Sequence, residues 1–283
     1  MSDTAWFLVA FLLLAVAMAL GVWRWRRSLR TLHPVSGFVL LAATLGGLLG
    51  APFWWFDLPA AFAWDLPALA SRMLAAAGLA FGLSGIVVLE KPSRPKARFY
   101  LVLVAVYLVP LALAIVVFHL DRFDFSKPIT YGFFSIVLVL SIGAALGLCY
   151  EKDADDAAPP AESAWFLCIG GVLAVWGLAL FLVPATTAVP FLFNWPRDPL
   201  TSRLIASMLL TLAVAFLSAR RNAQLVPPAL VFAATYGAGV LAACLMNLLA
   251  GRPLPILYTT AFGLLGVVSA LLLVRHMQRL AKT

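Results

Sequence analysis

The chain has 283 residues, of which 64% are hydrophobic and 11% charged, whereas soluble domains carry about 25% charged residues, so a soluble globular class is excluded. Its apolar stretches are continuous rather than alternating, which excludes a transmembrane β-barrel and leaves helices as the design that satisfies the backbone in lipid. The formal net charge of +8 would suit nucleic acid, but its distribution along the chain points to membrane topology instead.

At about 20 apolar residues per crossing, nine runs can span a bilayer: 5–23, 35–54, 70–89, 99–118, 129–150, 164–183, 200–218, 227–249 and 256–274. The predicted fold class is therefore all-α, a polytopic helical membrane protein. The first run has no basic residue before it and Trp23-Arg-Trp-Arg-Arg27 after it. Although Ala17-Met-Ala19 resembles a cleavage site, this pattern reads as an uncleaved anchor with its N-terminus outside.

Assigning successive loops to alternate sides puts fourteen of the twenty Lys and Arg residues on one side, including Arg24–Arg30, Lys91–Arg98 and the tail after 274. By the positive-inside rule that side is cytoplasmic, the N-terminus lies outside and the C-terminus inside. Gly46 and Gly50, Gly78 and Gly82, and Gly143 and Gly147 have small-xxx-small spacing, which lets helix backbones approach closely in lipid. Cys149, Cys168 and Cys244 have no metal-ligand spacing and read as packing residues. The only polar run of any length, 151–163, is acidic and reads as a cytoplasmic linker.

One motif occurs twice. Trp64-Asp-Leu-Pro-Ala-Leu-Ala-Ser-Arg72 and Trp195-Pro-Arg-Asp-Pro-Leu-Thr-Ser-Arg203 both spell Trp-x4-Leu-x-Ser-Arg and run into apolar segments. The motif resembles a Trp-Pro-Trp-x-Leu-Thr-Pro-Leu-Thr-Ala-Arg-like stretch that opens a span in bacterial multi-pass membrane proteins to which no activity is assigned. The resemblance covers about ten residues per copy. The second copy is nearer to the pattern; the first has its proline, Pro67, one position earlier. What the resemblance implies is a prokaryotic cytoplasmic membrane location.

Further landmarks extend the duplication. Arg72 is followed after 35 residues by Tyr107 and, 21 further on, by Pro128-Ile-Thr-Tyr131; Arg203 is followed after 33 by Tyr236 and, 19 further on, by Pro255-Ile-Leu-Tyr258. This order predicts an N-terminal helix and basic turn over 1–34, a first four-helix repeat over 35–150, the linker 151–163, and a second repeat with a basic tail over 164–283. Four spans per copy make the repeats parallel, related by an axis along the membrane normal.

No ionisable residue falls near the centre of a span, where it would mark an ion or proton path. No cofactor motif, Zn-type spacing or Ser/His/Asp grouping is present. Tyr107 and Tyr236 are the mid-membrane polar pair, each either bonded to a neighbouring helix carbonyl or lining a central pocket. Asp65 and Asp198 are expected to cap the helices that follow them.

Arg72 and Arg203 sit near the positive ends of helix dipoles, which calls for anionic compensation. Lipid phosphates, the acids Asp57, Asp65, Asp121 and Asp124, or a specific lipid-linked head group could supply it. Trp64, Trp195 and the aromatics around them read as an interfacial belt. The candidate outer-face site is thus Arg72, Arg203, Trp64, Trp195, Asp65 and Asp198.

Three function classes fit: a non-catalytic scaffold or binder of a lipid or partner at the outer face, an uncoupled transporter whose halves rock about the axis, and an enzyme acting on a lipid-linked substrate with Asp57 or Asp65 as base.

Overall fold

The computed structural model describes residues 3–58, 61–151, 158–183 and 198–280. Among them the chain is helical, without strands: α1 Asp3–Arg24, α2 Arg26–Leu29, α3 Pro34–Trp55, α4 Ala68–Glu90, α5 Arg94–Phe118, α6 Pro128–Tyr150, α7 Ser163–Leu182, α8 Pro199–Ala219, α9 Val226–Leu249 and α10 Ile256–Leu280. Eight of these, α3 to α10, are long and apolar enough to cross a membrane. The protein is a polytopic helical membrane protein. The first expected span is α1; its described apolar part, Leu8–Arg24, is shorter than the others. Residues 152–157 of the linker, and Trp195 of the second motif, lie outside the described residues.

Helix starts follow local chemistry. Pro occupies the first turn of α3, α5, α6, α8 and α9, where its missing N–H is one the helix cannot use. α5 begins at Arg94, five residues before its apolar run, and α10 continues to Leu280, because charged residues at a span's end remain in the helix while their heads reach water.

Packing divides the helices into a centre and a shell. In α4 and α8, 67% and 78% of the apolar span is buried, against 17% in α6 and 28% in α7 and α10. α4 lies between α3 and α9, while α8 lies between α7 and α5. Helices α5 and α6 pair with each other, as do α9 and α10, and α1 rests on α3. Tyr100 Oη donates to the Phe81 carbonyl at 3.0 Å beside Thr44, tying α5 to α4 and α3. Ser84 Oγ donates to the Pro228 carbonyl at 3.0 Å, tying α4 to α9. With no hydrophobic effect between helices in lipid, such bonds and close packing hold the bundle.

The glycine contacts correct one expectation. Gly78 does face α3, but its partner is Gly47: a Cβ at Gly78 would sit 2.8 Å from the Gly47 carbonyl oxygen, and one at Gly47 would collide with the Gly78 carbonyl. Gly46, the residue singled out by the four-residue spacing, faces open space. Spacing alone selects a stripe of the helix without showing which stripe meets the neighbour.

At one end of the bundle, charged contacts tie helix ends together. Arg24 and the Trp25 indole both donate to Glu90 Oε1 at 2.9 Å, pinning the end of α1 to α4. Arg98 donates to the Leu148 and Glu151 carbonyls at 3.2 and 3.1 Å, closing the C-terminus of α6. Arg279 pairs with Glu162 at 2.6 Å. Arg72 and Arg203 of the duplicated motif lie at the opposite end, called here the arginine end.

Candidate functional site at the arginine end

On α4 the partly exposed positions include Arg72, Leu79, Leu83, Ile86 and Glu90. Spacings of seven, four, three and four put them on one face of a 3.6-residue helix. On α8 the same series reads Arg203, Leu210, Val214 and Leu217, with Arg221 following the helix. Each central helix therefore carries one narrow, partly exposed stripe headed by the arginine of the motif; on α8, Leu210 and Leu217 of that stripe pack against Gly177 and Gly170 of α7. From Arg72 to Glu90 is eighteen residues, roughly 27 Å of helix, close to the ~30 Å hydrocarbon thickness. The charged ends of the α4 stripe are spaced to reach the two interfaces of a bilayer.

The surroundings of the two arginines differ. Arg203 Nη1 contacts Nε2 of His119, which follows α5, and its guanidinium lies over the Phe118 ring, 4.5 Å from the centroid. Because a guanidinium can only donate, His119 Nε2 is the acceptor and the imidazole is neutral. Asp198 is the N-cap of α8: its side chain accepts from Leu200 N at 3.2 Å and from Thr201 Oγ1 at 2.6 Å, and Arg122 approaches it at 3.8 Å. Arg72 has no such neighbours, and its buried Nε has no hydrogen-bond partner among the described residues. Ser71, beside it, donates its hydroxyl to the Trp54 carbonyl.

Three expectations need correction. Asp65 is exposed and caps nothing; the N-cap of α4 is Pro67, which offers no side-chain acceptor. Asp198 caps because it directly precedes Pro199 at the helix start, whereas Asp65 stands two residues further from its helix. Trp64 is not part of a surface belt. It is 7% exposed, packs on Phe123 and Phe133, and its indole N–H has no partner among the described residues.

The compensation of Arg203 is also not a carboxylate. Among the described residues no acid lies within ion-pair distance of either arginine. A neutral imidazole and an aromatic face take that place at Arg203, supplying an acceptor and a quadrupole without a second buried ion. His119 stood in the sequence as a lone histidine at a span's end, and nothing local pairs it with a residue 84 positions away.

Tyr107 of α5 and Tyr236 of α9 come together. They line one small cavity where the four inner helices meet, with Met73 and Ala77 of α4 and Leu204 and Met208 of α8. Neither arginine lines it. Among the described residues no group of three or more His, Cys, Asp or Glu side chains is placed to hold a metal ion. Comparisons with protein-family models, with curated proteins and with solved structures gave no match.

The His119 contact predicts a pH response. Burial, then the Arg203 cation and more weakly Arg122, hold the His119 pKa below the usual 6.5, with Asp198 and Asp121 opposing. The unfolded chain then binds the proton more readily than the folded one, so stability is complete above pH ~6.5 and declines as pH falls toward the lowered folded value. Thermal unfolding in detergent should show a midpoint that drops between pH 7.5 and 5, and His119→Gln should flatten that drop.

Proposed function

We propose that this is a non-catalytic integral membrane protein of a bacterial cytoplasmic membrane that binds an anionic lipid head group at its outer face. The observation that carries this reading is Arg72, a cation on the partly exposed stripe of α4 whose buried Nε–H has no acceptor among the described residues. A phosphate oxygen is the acceptor that such a position meets in a bilayer, and a planar guanidinium can hold it bidentately. Arg203, already engaged by His119 and Phe118, serves to brace α8 against the end of α5.

We read the chain as two parallel four-helix repeats, α3–α6 and α7–α10. Exchanging the two sets turns the α3–α4, α5–α6 and α4–α9 pairings into the α7–α8, α9–α10 and α8–α5 pairings. Supporting this further, the partly exposed stripe of α4 matches that of α8 position for position.

Native mass spectrometry from anionic-lipid nanodiscs tests the site. Arg72→Lys should retain about tenfold less bound anionic lipid, a change of ~1.4 kcal/mol, and melt like wild type in lipid-free detergent. Arg203→Lys should keep the lipid but lose its contacts to His119 and Phe118, lowering stability by about 1–2 kcal/mol. Equal lipid retention by all three proteins would sink the proposal.

The orientation follows from the charge bias and has its own test in a cysteine-free background. Phe125→Cys should react with an impermeant maleimide on intact cells and Asp156→Cys should not; the reverse pattern overturns the orientation.

A further inference from the structure

The cavity between α4, α5, α8 and α9 is independent of the arginine site. Its volume is ≈10 Å³, about the probe volume that one water molecule needs. Its apolar wall comes from Met73, Ala77, Leu204 and Met208, and its polar groups are the phenols of Tyr107 and Tyr236. Tyr107 is 9% and Tyr236 1% exposed, and neither hydroxyl bonds to a described residue. By contrast, Tyr100, also fully buried, satisfies its hydroxyl on the Phe81 carbonyl at 3.0 Å.

A buried hydroxyl left without a partner is costly, and lipid offers it none. Two such hydroxyls on one water-sized space, from the helices that correspond under the exchange of the two halves, share one solution. We propose that the cavity is a binding site for a single water molecule that bridges Tyr107 and Tyr236. The space suits a single water molecule, and its lining offers no charged group to hold an ion. The water sits where all four inner helices converge, so it couples α5 of one half to α9 of the other through polar contacts that the protein groups do not make directly.

X-ray radiolytic footprinting, which generates hydroxyl radicals from water in place, tests this on the intact protein in nanodiscs. In the wild type, Tyr107 and Tyr236 should be hydroxylated and the neighbouring Met73 and Met208 oxidised, although these methionines are only 2% and 1% exposed. Tyr100 serves as the dry control and should remain unmodified. In the Tyr107→Phe/Tyr236→Phe double variant the cavity loses its polar groups, and an apolar cavity of this size stays dry; oxidation of Met73 and Met208 should fall about tenfold. Modification of Tyr107 and Tyr236 no greater than that of Tyr100 in the wild type overturns the proposal, whether or not the variant folds. Neither outcome involves Arg72 or Arg203, so the lipid-binding reading stands or falls separately.

Discussion

Gly47→Ala should lower stability by about 3 kcal/mol, while Gly46→Ala, one residue away on the same helix, should leave it unchanged or slightly raised. α3 and α4 approach so closely at Gly47 and Gly78 that a methyl group at position 47 would meet the Gly78 carbonyl, which belongs to a helix backbone and cannot rotate away. The helices must then separate, and overpacking of this kind costs about 1–3 kcal/mol where side chains can adjust and more where they cannot. The loss is amplified because α4 is central: pushing it from α3 also disturbs its packing on α9. At Gly46 a methyl group meets nothing within 4 Å, and alanine is the better helix former. Thermal unfolding of both variants in one detergent decides the matter. A Gly47→Ala protein that melts with the wild type would mean that α3 and α4 do not cross at this point.

Asp198→Ala should cost about 3 kcal/mol and Asp65→Ala less than ~0.5, although the two acids occur in copies of one motif. Removing the Asp198 carboxylate takes away the N-cap of α8, worth about 1–2 kcal/mol. It also strands the Thr201 hydroxyl, which is fully buried and donates to that carboxylate at 2.6 Å, adding about 1–3 kcal/mol for an unsatisfied buried donor. Arg122 loses its counter-ion as well and is left near Arg203 and His119. Asp65 is exposed and caps nothing, so its loss is an ordinary surface change. Asp198→Asn, which keeps a capping oxygen, should recover most of the stability. Failure of Asp198→Ala to destabilise, measured against Asp65→Ala in the same buffer, would remove the cap and the buried Thr201 bond as the explanation.

The features legible in the sequence are those governed by local physics. In lipid each span must satisfy its own backbone, so the positions of α3 to α10 follow from continuous apolar runs, and the starts of α3, α5, α6, α8 and α9 are marked by prolines in their first turns. The cap at Asp198 was legible for the same reason, since capping involves residues within one helical turn. So was the placement of Arg72 and Arg203, each the fifth residue of its helix, because two copies of one motif run into α4 and α8.

What required the tertiary structure was which faces meet. These helices are apolar on all sides, so periodicity that would mark the buried face of a soluble helix is nearly absent. The sequence thus could not separate Gly46 from Gly47, although only one touches a neighbour. It could not pair Arg203 with His119, which lies in the other half of the chain. It left both environments of Tyr107 and Tyr236 open until α5 and α9 were packed against α8 and α4 around one cavity. Long-range contacts between apolar helices are selected by shape and by a few buried polar groups, and shape is a property of the packed bundle rather than of any one segment.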